Sequence, residues 1–328
     1  MNEVPACLTE SLMTQIHFDC PLEDLGEALA GPWRSPRQML ASQEYDDHAS
    51  IHDDATAQKL GFKGGTIEGP THFSQFAPLG EAAWGKRWFE SGCLSAHYRN
   101  AVFEGEEVRA ILDKPRFGAV HTTIRMEKRD GTEVLRGTAS VGADAAPTAL
   151  EARLASLEPL ADPVILHDVK VGMKTGRQSV TMAFDQNMGA LYPFTLAEKL
   201  KVITEPSSLY QTGEGSPFGR PIIPMEMISV LLQHTARQDR FPTRGPVVGL
   251  FADQEIRLVK GPLFVGAAYD LEREIVALSG SRRTESLWVK TRLYHPGGDE
   301  ILATMLLNGA SMKESYAPYA EEHAALYG

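Results

Sequence analysis

Residues 65–89 read GTIEGPTHFSQFAPLGEAAWGKRWF, and the architecture can be built outward from them. Apolar residues fall at Phe73, Phe76, Ala77 and Leu79 and again at Ala83 and Trp84, the spacing of a largely buried helix. Gly69-Pro70 marks its start, because a proline in the first turn gives up an N–H that has no intrahelical acceptor anyway. From Leu94 to Val141 the pattern changes to strands: LSAHYRNAV, EEVRAILDK, VHTTIRMEK and EVLRGTASV. Turn signals separate them at Glu104-Gly105, Arg116-Phe117-Gly118 and Asp130-Gly131. A helix followed by an antiparallel meander is one α+β unit.

The second half repeats that order. SPFGRPIIPMEMISVLLQHTARQ (216–238) leads a Gly/Pro-rich turn into an apolar helix, and VVGLFADQEIRLV, FVGAAYDLEREIVAL, ESLWVKTRLYH and EILATMLLNG follow as strands. Leu94 and Leu250, Ala96 and Ala252, and Gly105 and Gly261 are each 156 residues apart. Further on, Gly131-Thr132-Glu133-Val134-Leu135 echoes Gly298-Asp299-Glu300-Ile301-Leu302 at a separation of 167. That jump predicts a hairpin about eleven residues longer in the second half. The expected organisation is a first unit over 1–142, an Ala/Pro-rich linker over 143–163 with a short helix at Thr148–Leu157, a second unit over 164–310, and a polar, aromatic tail over 311–328.

Composition narrows the function. A formal charge of -11 and the lack of any dense Lys/Arg run argue against binding nucleic acid or an anionic membrane surface. Charges break every apolar stretch well short of the ~18 residues of a membrane span, and 222–233 reads as a core helix. The first twenty residues lack a basic start followed by an apolar run, so no signal peptide is expected. Cys7, Cys20 and Cys93 form no even-numbered framework, which fits reduced thiols and a cytoplasmic location.

Polar chemistry concentrates upstream of the first helix, in Tyr45-Asp46-Asp47-His48-Ala49-Ser50-Ile51-His52-Asp53-Asp54. Asp47 and His52, if they face one cleft, make an acid/base pair, since an imidazole titrating near neutrality can take or give a proton. Shifting by 156 residues sets Ile203 opposite Asp47 and Ser208 opposite His52, so KLKVITEPSSLY in the second half supplies no such pair. His48 and His52 are four apart among aspartates, but no Glu follows His48, and no metal is expected. Glu68 and His72 stand four apart at the helix start, placed to line the same cleft.

The run YDDHASIHDDATAQKLGFKGGTIEGPTHFSQF, from Tyr45 to Phe76, resembles the MaoC-like, (R)-specific enoyl-CoA hydratase family of hotdog-fold proteins. Asp47 and His52 match that family's catalytic pair in spacing, Ile51 matches the apolar residue before the His, and Gly69 matches the helix-start glycine. The resemblance implies a tandem (double) hotdog of α+β class, with the second half degenerate. It implies that Asp47 and His52 handle the proton of water, and that the Gly69 N–H holds the thioester oxygen. The reaction would be the reversible hydration of a trans-2-enoyl-CoA to an (R)-3-hydroxyacyl-CoA, as in fatty acid metabolism. No cofactor is implied beyond the acyl-CoA or acyl-carrier thioester itself, and a homodimer of double-hotdog chains is compatible with it. Arg34, Arg37, Lys59 and Lys63 flank the loop as candidates for the phosphates, and Pro221–Met225 is the expected apolar wall for the acyl chain. Two positions depart from the family: Ala49-Ser50 stands where Asn-Pro is usual, and Glu68 where His is usual. Two alternatives stand beside this reading, a hotdog acyl-CoA thioesterase using Glu68 and a catalytically inactive acyl-CoA-binding protein.

Overall fold

The computed structural model describes residues 17–45, 48–143, 146–213 and 215–328. Its strands are β1 (Glu23–Asp24), β2 (Ala28–Ala30), β3 (Glu44–Tyr45), β4 (His48–Ala49), β5 (Gly92–Tyr98), β6 (Val108–Asp113), β7 (His121–Lys128), β8 (Glu133–Val141), β9 (Gln178–Thr181), β10 (Gly249–Leu258), β11 (Ala268–Gly280), β12 (Thr284–Tyr294) and β13 (Ile301–Met312). The helices are α1 (Asp54–Lys59), α2 (Ala77–Trp84), α3 (Arg87–Ser91), α4 (Ala149–Ala155), α5 (Leu196–Lys199), α6 (Met225–Gln233) and α7 (Tyr319–Tyr327). Among the described residues, eleven strands form one sheet in the order β1-β2-β6-β7-β8-β5-β10-β13-β12-β11-β9, while β3 pairs with β4 separately. Outward from β5 and β10 the halves match strand for strand: β8 with β13, β7 with β12, β6 with β11. The longer second hairpin is present, β11 and β12 having 13 and 11 residues against 6 and 8 in β6 and β7.

The two central helices lie on one face of this sheet. The first opens as a 3-10 helix, Gly69–Phe76, and continues into α2, with Phe73, Phe76 and Leu79 fully buried. It ends at Trp84, the last apolar position of that spacing. Gly85 takes a φ of 58°, a left-handed conformation that residues with a Cβ rarely adopt, and the chain turns there before α3. The second helix, α6, is nine residues long and occupies only part of 216–238. Its cap Pro224 lies 156 residues after Glu68, the cap of the first helix, which places the helix starts in the register of the strand echoes. A single core runs through both halves, from Phe73 and Leu94 to Met227, Leu231 and Met305.

β5 and β10 pair antiparallel from Cys93↔Arg257 to His97↔Asp253. On the outer face, the 143–163 segment is more than a connection. Thr148 and Glu151 form a capping box that starts α4, and Leu150 packs with Trp288 and Leu306. The Leu150 N–H donates to Ser95 Oγ at 3.0 Å. Asp253, fully buried in β10, accepts from His97 Nδ1 (2.6 Å) and Asn308 Nδ2 (2.7 Å) and lies 3.3 Å from Arg153 of α4. The tail is also held, with the Tyr319 hydroxyl donating to Glu285 and the Tyr327 hydroxyl to the Pro163 carbonyl. Among the described residues no helix is long and apolar enough to cross a membrane.

Asp253 joins both halves and the linker helix in one buried network. Asp253→Ala strands its donors and is expected to cost about 3 kcal/mol. Urea unfolding checks this: the midpoint should fall while the slope stays unchanged.

Candidate active site

A cavity of about 620 Å³ opens where the halves meet, and both contribute to its walls. His52 reaches it from the loop before α1. That loop is fixed locally, because Ser50 Oγ accepts from the His52 N–H and Asp53 caps α1 by accepting from the Thr56 N–H. His52 Nδ1 lies 2.7 Å from the Thr66 carbonyl oxygen. A carbonyl only accepts, so the Nδ1 nitrogen carries the proton and Nε2 keeps its lone pair in the neutral ring. Burial lowers the pKa of His52, with Glu68 and the Thr66 hydrogen bond acting the other way. The imidazole is therefore neutral at pH 7, and the residue borders the cavity.

Gly69 opens the central helix beside it. The N–H groups of a first turn have no intrahelical acceptor and sit at the positive end of the helix dipole, which suits developing negative charge on an oxygen. The Tyr98 ring packs against Gly69 so closely that a Cβ there would stand 2.6 Å from it. Tyr98 is held in turn by Gln254 of β10, which accepts from its hydroxyl at 3.0 Å. Gln254 Nε2 donates to Ser229 of α6 at 2.7 Å.

A buried charge cluster completes the site. Lys199, the last residue of α5, donates from Nζ to Thr71 Oγ1 (2.9 Å) and lies 3.4 Å from Glu68 Oε1 and 3.6 Å from Glu226 Oε2. Burial alone would push the Glu68 carboxyl up, but Lys199 and His52 outweigh it and hold Glu68 below its ordinary value. Burial pushes Glu226 up to about 7, with Lys199 opposing and Glu68 adding to the shift. Burial works against the Lys199 ammonium too, yet its two carboxylates carry it above the usual lysine value. His72 is driven down to about 4, chiefly by burial, and is neutral. Glu68 Oε2, both Glu226 carboxyl oxygens and His72 Nδ1 are buried without a hydrogen-bond partner, and all three residues border the cavity.

The structure thus gathers His52, Glu68, Gly69 and His72 around one cavity, while Asp47 lies outside the described residues. Other expectations need correcting. Pro221–Met225 does not line the cavity; Ile222 and Ile223 belong to the core, and Glu226, Met227, Val230 and Gln233 form the wall instead. Arg34, Arg37, Lys59 and Lys63, candidates for the phosphates rather than for the acyl chain, lie outside its lining. Arg34 is held by both Glu205 oxygens, Arg37 pairs with Glu104, and Lys63 lies near Glu106. The second half is not bare of polar equipment either, since it supplies Lys199 and Glu226. A signal for the latter was present: Glu226 is the lone charge in IIPMEMISVLLQ, and a carboxylate on an apolar helix requires a buried partner.

Structural comparison gives the fold its class. The chain is similar to a putative MaoC domain protein dehydratase from Chloroflexus aurantiacus J-10-fl, at 14% identity and a TM-score of 0.54 over 88% of this chain and 95% of that one. It is also similar to a conserved hypothetical protein from Mycobacterium tuberculosis with a double hotdog fold, at 12% identity and a TM-score of 0.51 over 89% and 96%. The chain has the double-hotdog fold. No family model and no curated protein sequence matches it.

The cluster makes stability depend on pH. Glu226 titrates near 7 when folded and near 4.5 when unfolded, so between those values the folded state binds more protons and its stability from this group falls as pH rises. Glu226→Gln removes that slope. Compared with the native protein, the variant should be relatively more stable at pH 8 than at pH 5 in urea titrations. An equal difference at both pH values would show that Glu226 is not raised.

Proposed function

We propose that this chain catalyses reversible hydration and dehydration of an acyl thioester, of the trans-2-enoyl-CoA to (R)-3-hydroxyacyl-CoA type. The observation that carries the reading is His52: its proton is committed to the Thr66 carbonyl, leaving Nε2 as a base in a cavity that also borders the start of the central helix. The fold shared with a protein described as a MaoC domain dehydratase supports it, as does the Tyr45–Phe76 motif. In the forward direction His52, with Asp47 as its partner in the motif, takes a proton from water as the oxygen bonds to Cβ. The Cα=Cβ electrons move to the thioester oxygen, where the Gly69 N–H stabilises the enolate. A proton delivered to Cα then completes addition of one water. Dehydration reverses each step.

One observation favours a second reading. Glu68 is buried, held ionised by Lys199, and has one unpartnered oxygen beside the cavity, as a carboxylate base or nucleophile in thioester hydrolysis requires.

Crotonyl-CoA and longer enoyl-CoAs distinguish these outcomes through the loss of conjugated thioester absorbance. Hydration is expected, with kcat falling by ~10²–10⁴-fold in His52→Ala and in Asp47→Ala. Turnover that survives both substitutions would overturn the site assignment. Release of free thiol would select the Glu68 reading, and binding without turnover would mark an inert acyl-CoA-binding protein.

A further inference from the structure

The cavity extends beyond the Glu68–Lys199–Glu226 cluster. Met227, Val230 and Gln233 of α6 line it together with Leu287, Val289 and Leu307 of β12 and β13. These side chains are mostly apolar. The cavity also reaches Arg273 of β11, which is 3% exposed. Its guanidinium donates only to neutral acceptors: Gln178 Oε1 (2.9 Å), the Leu232 carbonyl (2.7 Å) and Thr235 Oγ1 (2.9 Å). Its Nε–H is buried without an acceptor. Among the described residues no carboxylate lies within ion-pairing distance of it. Asp239, which also borders the cavity, accepts from the Gly176 N–H instead. Burial holds Arg273 down to about 10 even though Tyr192 and Asp239 act against the shift. Arginine in so poorly compensated a setting is rare, because a buried guanidinium requires an anion to offset its lost hydration.

Glu226 and Leu232 are six residues apart on α6, which puts the carboxylate cluster and the arginine at levels separated by about 9 Å along the helix. We infer that Arg273 is an anion subsite for the far end of the acyl chain, and that the substrate is an acyl thioester bearing a carboxylate at its distal end. This rests on the acyl-thioester reading of the site, with the thioester at Gly69, the apolar walls along the chain, and the distal carboxylate bound by charge-assisted hydrogen bonds to Arg273.

The test compares enoyl-CoAs of matched length that end in a methyl group or in a carboxylate, measuring both turnover and equilibrium binding by calorimetry. The native protein is expected to favour the carboxylate-ended ligand by on the order of 10–100-fold in KM or Kd. Arg273→Gln should abolish that preference, bringing the Kd of the carboxylate-ended ligand to that of the methyl-ended one, and Arg273→Lys should retain part of it. Equal affinity of the native protein for the two ligands overturns the proposal without any variant having to fold. So does an Arg273→Gln variant that weakens both ligands alike and lowers the melting temperature, since Arg273 would then only tie down the end of α6. A carboxylate preference in binding with no turnover would preserve the subsite and remove the hydration reading. Turnover with no preference would do the reverse.

Discussion

The antiparallel pairing of β5 with β10 joins the two halves into one sheet, and the cavity exists only because it does. Its register is fixed by side chains on both faces. Asp253 and Glu255 point outward, to His97, Asn308 and Thr148, whereas Gln254 between them points inward, to Tyr98 and Ser229. A slip of one residue would exchange the faces and drive two carboxylates into the core under the helices. Gln254 therefore carries strand pairing directly into the site. It holds the Tyr98 ring that confines Gly69, and through Ser229 it fixes α6 against the same strand.

The Glu68–Lys199–Glu226 cluster is best understood as positioning rather than as glue. Taking one ammonium and two carboxyl groups out of water costs several kcal/mol per ion, and Coulomb attraction recovers this only where geometry and hydrogen bonding are complete. Here they are incomplete, since Glu68 Oε2 and both Glu226 oxygens lack a hydrogen-bond partner. A hydrophobic trio of similar volume would pack with less penalty. What the cluster does provide is a proton-bearing group, Glu226, and an ionised one, Glu68, held at the start of the central helix by a lysine from the other half.

Much of the fold was legible because it is local. The alternation of EVLRGTASV marks β8 at both ends, 133–141, and Gly69-Pro70 marks the helix start to the residue. The site was legible only where its residues share one stretch of chain, as Glu68, Gly69 and His72 do. Lys199 was not, because comparing the halves at a fixed shift asks what stands at equivalent positions. The structure instead brings together residues that are not equivalent, Glu68 and Lys199 being 131 apart. The apolar wall was misplaced for a related reason. A helix start buried against its own strands reads in sequence like one that faces a ligand, and Ile222 and Ile223 went to the core while the next turn of α6 faced the cavity.

Charge sorts the two ends of that cavity. Near Gly69 stand helix N–H donors, with ionised Glu68 already paired to Lys199, a setting suited to a polarised thioester oxygen. Near Arg273, among the described residues, no carboxylate stands within ion-pairing distance, and Asp239 acts on the guanidinium from farther off. On the proposed reading, an acyl group entering in reverse would leave Arg273 without its anion, so the orientation that brings the distal carboxylate to Arg273 is the favoured one. The same asymmetry gives a physical reason for the divergence of the halves. On that reading the first half carries the chemistry, and the second half carries Arg273 and the α6 side chains that run along the acyl group.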